Sequence, residues 1–173
     1  MSTDVPEILD AWRMVASRRG FEGRLPLSSL TRLREALADA DAGDVAFSLD
    51  FDRDAMQVPY VELRIEAGLP LVCQRTLQRF VFPVSLVQRL GLLRDEADEA
   101  GLPEGYEALL LADDGELRPM ELVEDELILA VPVVPVQPGS EQVERDWPVT
   151  AEEEVRANPF AALTALKKQD RNN

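Results

Sequence analysis

The chain has 173 residues, with 33 acidic and 18 basic side chains, 46% apolar residues and no histidine. Its net charge of −15 opposes non-specific binding to phosphate backbones and favours attraction to basic partners. The missing histidine excludes a His-based triad, a His metal ligand and imidazole acid/base chemistry, and the single Cys73 excludes an intrachain disulfide and a multi-Cys zinc site.

Glu7 to Arg19 read as a helix: Ile8, Trp12 and Val15 recur at helical spacing, Pro6 suits the first turn and Gly20 stops it. Phe21 to Leu27, punctuated by Gly23 and Pro26, read as a short edge strand. Ser28 or Ser29 then caps a second helix with Leu30, Leu33 and Leu37 on one face, broken by Asp41–Asp44.

Alternation is clearest next. Val45, Phe47, Leu49 and Phe51 interleave with Ala46, Ser48, Asp50 and Asp52, the pattern of a half-buried strand. Val61, Leu63, Ile65 and Ala67 alternate with Glu62, Arg64 and Glu66 in a second strand. Phe80, Phe82, Val84 and Leu86 share one parity of a third, whose other parity carries Arg79 and Arg89. Short connections predict an antiparallel meander, and Pro83 marks an edge or a bulge in its third strand.

Asp95 to Gly105 is acidic and broken by Gly and Pro, so a mobile loop is expected. Tyr106 to Leu111 read as a short strand ended by Asp113-Asp114-Gly115. Pro119 opens a helix with Met120, Val123, Leu127 and Ala130 on its apolar face and Glu121, Glu124, Asp125 and Glu126 on the solvated side. Pro132 ends it, and residues 132–136 (Pro-Val-Val-Pro-Val) are expected to be extended and packed.

The fold class predicted is α+β: an antiparallel sheet of about four to six strands, with a barrel-like closure left open, packed helices and a mobile C-terminal tail. Residues 1–136 form the single domain in this reading, 137–157 an acidic flexible linker, and 158–173 a short helix with a basic end. Asn158 and Pro159 give that helix its start signal, and Phe160, Leu163 and Leu166 its apolar spacing. About ten residues is too short for a stable isolated helix, so docking or folding on a partner is expected. No apolar run reaches about 18 residues, which predicts no membrane span. The N-terminus lacks a signal-peptide pattern, which predicts a cytoplasmic location.

The charge is unevenly placed. Asp95 to Glu126 hold thirteen acids and one base, Arg118, so this stretch carries −12 of the −15. From Arg64 to Arg94, five arginines face only Glu66. Two candidate surfaces follow. Arg64, Arg75, Arg79 and Arg89 are candidates for contact with phosphate groups or an acidic partner, Arg being suited to planar recognition of phosphate and carboxylate. Glu121, Glu124, Asp125 and Glu126 are candidates for a basic protein.

Three stretches together resemble a known family: residues 71–80 (LVCQRTLQRF), 121–136 (ELVEDELILAVPVVPV) and 158–167 (NPFAALTALK). In order and spacing they resemble the YceD family, the large-subunit ribosomal RNA accumulation proteins. The resemblance implies a bacterial or plastid factor supporting synthesis, processing or stability of 23S rRNA, without enzymatic activity, often encoded beside a large-subunit ribosomal protein. Many members carry Cys-x-x-Cys where this chain has Cys73-Gln-Arg-Thr76, and Thr76 cannot supply the second thiolate. The turn is expected to survive as a structural knuckle.

No cofactor, metal or small-molecule substrate is expected. Ser and Thr lack a recognisable activating partner, and there is no glycine-rich phosphate loop. The leading expectation is a non-enzymatic ribosome-biogenesis factor. The alternative is an acidic adaptor for a basic ribosomal protein with no RNA contact, and a carboxylate enzyme or metal protein is the third reading.

Overall fold

A computed structural model describes residues 5–41 and 43–140. β1 (Leu9–Asp10) leads into α1 (Ala11–Ser17), followed by β2 (Gly20–Pro26), β3 (Asp44–Arg53), β4 (Pro59–Val72) and β5 (Arg79–Leu93). β6 (Glu107–Leu110), β7 (Glu116–Leu117) and α2 (Pro119–Ala130) complete the described order. One sheet runs β2-β3-β4-β5-β6, and β1 pairs with β7 apart from it. The mixed α+β content is as expected, but the sheet is open, with β2 and β6 at its two ends, and forms no closed barrel.

β2 to β5 form the antiparallel meander. β6 instead returns parallel to β5, from Leu90↔Glu107 to Leu93↔Leu110, which corrects the all-antiparallel expectation. The cause lies in residues 94–106. They contain a 3-10 helix, Glu96–Gly101, and give about the dozen residues a parallel return needs. Asp95 caps that helix through Ala97 N–H at 2.9 Å, so the acidic stretch expected to be a mobile loop has regular structure.

The β4–β5 register runs unbroken from Tyr60↔Gly91 to Val72↔Arg79, without the bulge considered at Pro83. Pro83 lies where β5 has only β4 beside it, since β6 pairs only with Leu90–Leu93. Its missing N–H therefore faces the open side.

Alternation sets the core. Val45, Leu49, Val61, Leu63 and Ile65 are fully buried on one sheet face, against Ala11 and Val15 of α1, Leu27, Leu30 and Leu33, and Val123 and Leu127 of α2. The other face of β2–β5 carries the charged parity.

Three helix expectations are corrected. α1 begins at Ala11 rather than Glu7, because Asp10 caps it (Arg13 N–H to Asp10 Oδ1, 2.9 Å) and Leu9 and Asp10 are taken by β7. The second helix is two 3-10 turns, Leu27–Ser29 and Leu33–Ala36. Extended backbone at Leu30 separates them and lets Leu27, Leu30 and Leu33 all reach the core. In α2 the buried face is Pro119, Leu122, Val123, Glu124 and Leu127; Met120, expected inside, is 40% exposed.

Residues 132–136 are not packed as expected. Val133 is 95% exposed and Val134 56%. This segment is held by backbone instead, Gln74 N–H donating to Pro135 C=O at 2.9 Å. Trp147, Asn158, Pro159 and Phe160, with most of the expected linker and the short C-terminal helix, lie outside the described residues. No described helix is long and apolar enough to cross a membrane.

Candidate functional site

The four candidate arginines fall into two groups. Arg64 and Arg89 come from neighbouring strands, because Glu62 pairs in register with Arg89 and lies two residues from Arg64 on the same face. Both bind the Glu62 carboxylate: Arg64 Nε to Oε1 at 3.1 Å, with its Nη2 on the same oxygen, and Arg89 Nε to Oε2 at 2.8 Å. The Glu62 side chain is only 13% exposed. Hydrogen bonds from Arg89, then Arg64, hold its pKa below the ordinary carboxylate range. Arg89 also lies over the Tyr60 ring at 5.6 Å, and Tyr60 meets Tyr106 edge to face at 5.8 Å. Tyr106 donates its hydroxyl to Asp54 at 3.3 Å, and burial, followed by the Asp54 charge, raises its pKa.

Arg79 and Arg75 lie elsewhere. Ten residues separate Arg79 from Arg89 along β5, roughly 33 Å of strand. Arg79 reaches Asp39 at 3.8 Å. Arg75 is exposed at the β4–β5 turn and makes no ion pair among the described residues. Two further arginines are paired, Arg18 at the end of α1 with Asp52 at 3.1 Å and Arg24 of β2 with Asp44 at 3.9 Å.

The four acidic candidates have four different settings. Glu124 is buried, which corrects its placement on the solvated side. Its carboxylate accepts from the backbone N–H groups of Arg32 (2.7 Å) and Leu33 (3.1 Å) and from Arg32 Nε (2.9 Å). It thereby satisfies the free donors at the start of the second 3-10 turn. Asp125 binds the same guanidinium at 2.6 Å, and Glu121 approaches Arg118 at 3.9 Å. Glu126 is half-buried, and its pKa is raised first by desolvation, then by Glu107 and Asp125.

The Cys73 turn is closed by its own backbone. Cys73 N–H donates to Gln78 C=O at 2.9 Å, and Leu77 N–H donates to Cys73 C=O at 2.8 Å. Gln137 N–H points at the Sγ from 3.3 Å. That contact, then the Thr76 hydroxyl, then the Thr76 and Arg75 amides, bring the thiol down to about 6. The sulfur is fully buried, so its polar contacts join the 73–78 turn to the segment after α2. Thr76 adds a side-chain contact to the same sulfur.

The quoted stretches 71–80 and 121–136 thus meet in space. Gln74 N–H reaches Pro135, and Gln137 N–H, one residue past the second stretch, reaches Cys73. The family model described as "Large ribosomal RNA subunit accumulation protein YceD" matches residues 61–167. The chain belongs to the YceD family. Its Haemophilus influenzae relative, the large ribosomal RNA subunit accumulation protein YceD, is 30% identical over 95% of this chain and 97% of its own length. No solved structure is a significant match.

Glu62 and Glu124, which organise the arginines of this YceD family member, stand out only after the strands and helices are paired. Strand alternation signals Glu62 by placing it beside Arg64. Nothing local signals that Glu124 will cap a turn 92 residues away.

Proposed function

We propose that the chain supports synthesis, processing or stability of large-subunit rRNA as a non-enzymatic factor, and that it works mainly by holding a basic protein of the large subunit. The family and its relative's name support the ribosomal role. One observation carries the choice of a protein partner: Arg64 and Arg89 both direct their guanidinium groups to the one Glu62 carboxylate, which cancels half of their charge, whereas the 95–126 segment has thirteen acids and one base. Tagged full-length chain is expected to enrich large-subunit components from cells, with recovery falling as salt rises. Equal recovery by unrelated acidic baits would overturn the reading.

Direct RNA contact is the second reading, and Arg75 favours it as an exposed guanidinium without an ion pair among the described residues. It requires purified chain to bind rRNA fragments and Arg75→Gln with Arg79→Gln to abolish that binding. Unchanged binding in the double variant removes this surface.

A further inference from the structure

We propose that the open edge of β6 accepts an extended, Lys- or Arg-rich segment of a partner protein as an added strand, in the groove between β6 and α2. This rests on the protein-contact reading above and gives that contact a place and a geometry.

The backbone argument comes first. Leu111 N–H donates to Leu93 C=O at 2.9 Å. In a parallel ladder the N–H and C=O of one residue point to the same side, and the side alternates along the strand. Leu109 and Leu111 therefore face β5, while the backbone groups of Ala108 and Leu110 face outward. Among the described residues β6 has no strand on that outer side. Such an edge can pair with an extended peptide through main-chain hydrogen bonds.

Beside the edge lies a groove of about 340 Å³. Its wall on the strand side includes Leu109, Leu110 and Ala112, and on the helix side Glu121, Leu122 and Asp125. Leu110 leaves 56% of its surface exposed there, so the groove has apolar as well as polar contacts to offer.

Charge selects the occupant. Asp114, Glu116, Glu121 and Asp125 line the groove, with Arg118 as the one base in its lining; Asp125 is paired with Arg32 at 2.6 Å, so among the described residues Asp114 and Glu116 carry the charge without an ion pair. Arg118 is already engaged by Glu7 at 3.4 Å and Glu121 at 3.9 Å. Glu126 on α2 is half-buried, and its desolvation is compounded by the charges of Glu107 of β6 and its neighbour Asp125. A cationic segment relieves this repulsion, whereas an RNA strand adds to it. Alternating side chains on an added strand suit the site: one parity meets the carboxylates while the other meets Leu110.

The test uses full-length chain and a synthetic peptide of alternating Lys and Val. The peptide is expected to bind with salt-sensitive affinity and to shift amide resonances of residues 108–112 and 116–125. Glu116→Lys with Glu121→Lys is expected to weaken it about tenfold, and a peptide N-methylated on alternate residues about as much. A Leu110→Lys variant with an unchanged thermal midpoint serves as a second probe if the double reversal fails to fold. It too must weaken the peptide. Equal binding of a Glu-Val peptide, insensitivity to N-methylation, or shifts confined to β2–β4 each overturn the proposal. Self-association lost in Leu110→Lys also overturns it, by assigning the edge to a second copy. If large-subunit components are still recovered from cells by the double reversal, the groove fails and the functional reading stands. If the groove binds the peptide but native chain recovers no large-subunit components, the groove stands and that reading fails.

Discussion

Glu124 holds Arg32 twice, accepting its backbone N–H at 2.7 Å and its Nε at 2.9 Å. One carboxylate thus fixes both the start of a 3-10 turn and the side chain that leads into it. Glu124→Ala leaves the Arg32 and Leu33 amides short of a partner in a buried place, and is expected to cost roughly 2–4 kcal/mol. Glu124→Gln keeps the shape and one acceptor, and is expected to cost about 1–2 kcal/mol. Urea unfolding of the two variants checks the order.

Glu62 makes stability fall in acid. Its folded pKa lies below the usual 4.5, so its contribution is complete above 4.5 and is lost as pH falls through the folded value. Glu62→Gln is expected to flatten the acid limb of a urea midpoint against pH curve. The same substitution frees Arg64 and Arg89, so it is also expected to increase retention of the chain on a phosphate-bearing resin. Unchanged retention would show that those guanidinium groups remain neutralised by other acids.

Glu126 has the opposite sign. Its folded pKa is raised, so the folded state holds the proton more tightly than the unfolded chain. Stability is expected to decline as pH rises from 4.5 through the folded value. Glu126→Gln is expected to raise the thermal midpoint at neutral pH and leave it nearly unchanged in acid. Calorimetry at the two pH values measures this.

The Cys73 thiolate gives a third pH signature. With its pKa brought from 9.0 to about 6, the contribution is complete above 9.0 and disappears as pH falls through about 6. Burial is expected to make alkylation of this thiolate slow in the folded chain and fast in urea. Cys73→Ala is expected to cost about 1–3 kcal/mol, since the Gln137 amide loses its acceptor. Rapid alkylation of the folded chain would show that the sulfur is accessible.

Gly115 tests the packing of Trp12. It has φ +72, and an added Cβ would overlap the indole ring that Arg94 covers from 4.7 Å. Gly115→Ala is expected to lose roughly 2–4 kcal/mol, combining backbone strain with displacement of the ring. A near-native thermal midpoint would refute this account.

The strands were legible because their signal is local. Val45 to Phe51 and Val61 to Ala67 alternate, and burial follows that parity. Pro119 likewise marked the start of α2. What the chain concealed was set at long range. Leu30, Leu33 and Leu37 have helical spacing, yet extended backbone at Leu30 and the distant Glu124 carboxylate make two 3-10 turns from them. The direction of β6 depends on the connection from residue 94 to 106, which reads as a polar loop until it is followed in space. The basic stretch from Arg64 to Arg94 hides a similar difficulty. Its neutralising partner, Glu62, lies just outside it, and strand pairing reaches across the boundary.

The pairing of Leu9 with Leu117 sets an order of assembly. Ala11 N–H also needs Gly115 C=O, at 2.9 Å, so the N-terminal helix gains its tether only after residues 115–117 have been synthesised. Closing a loop of more than a hundred residues is slow compared with forming adjacent hairpins. The meander therefore matures first, and α1, although it precedes the meander in the chain, settles among the last.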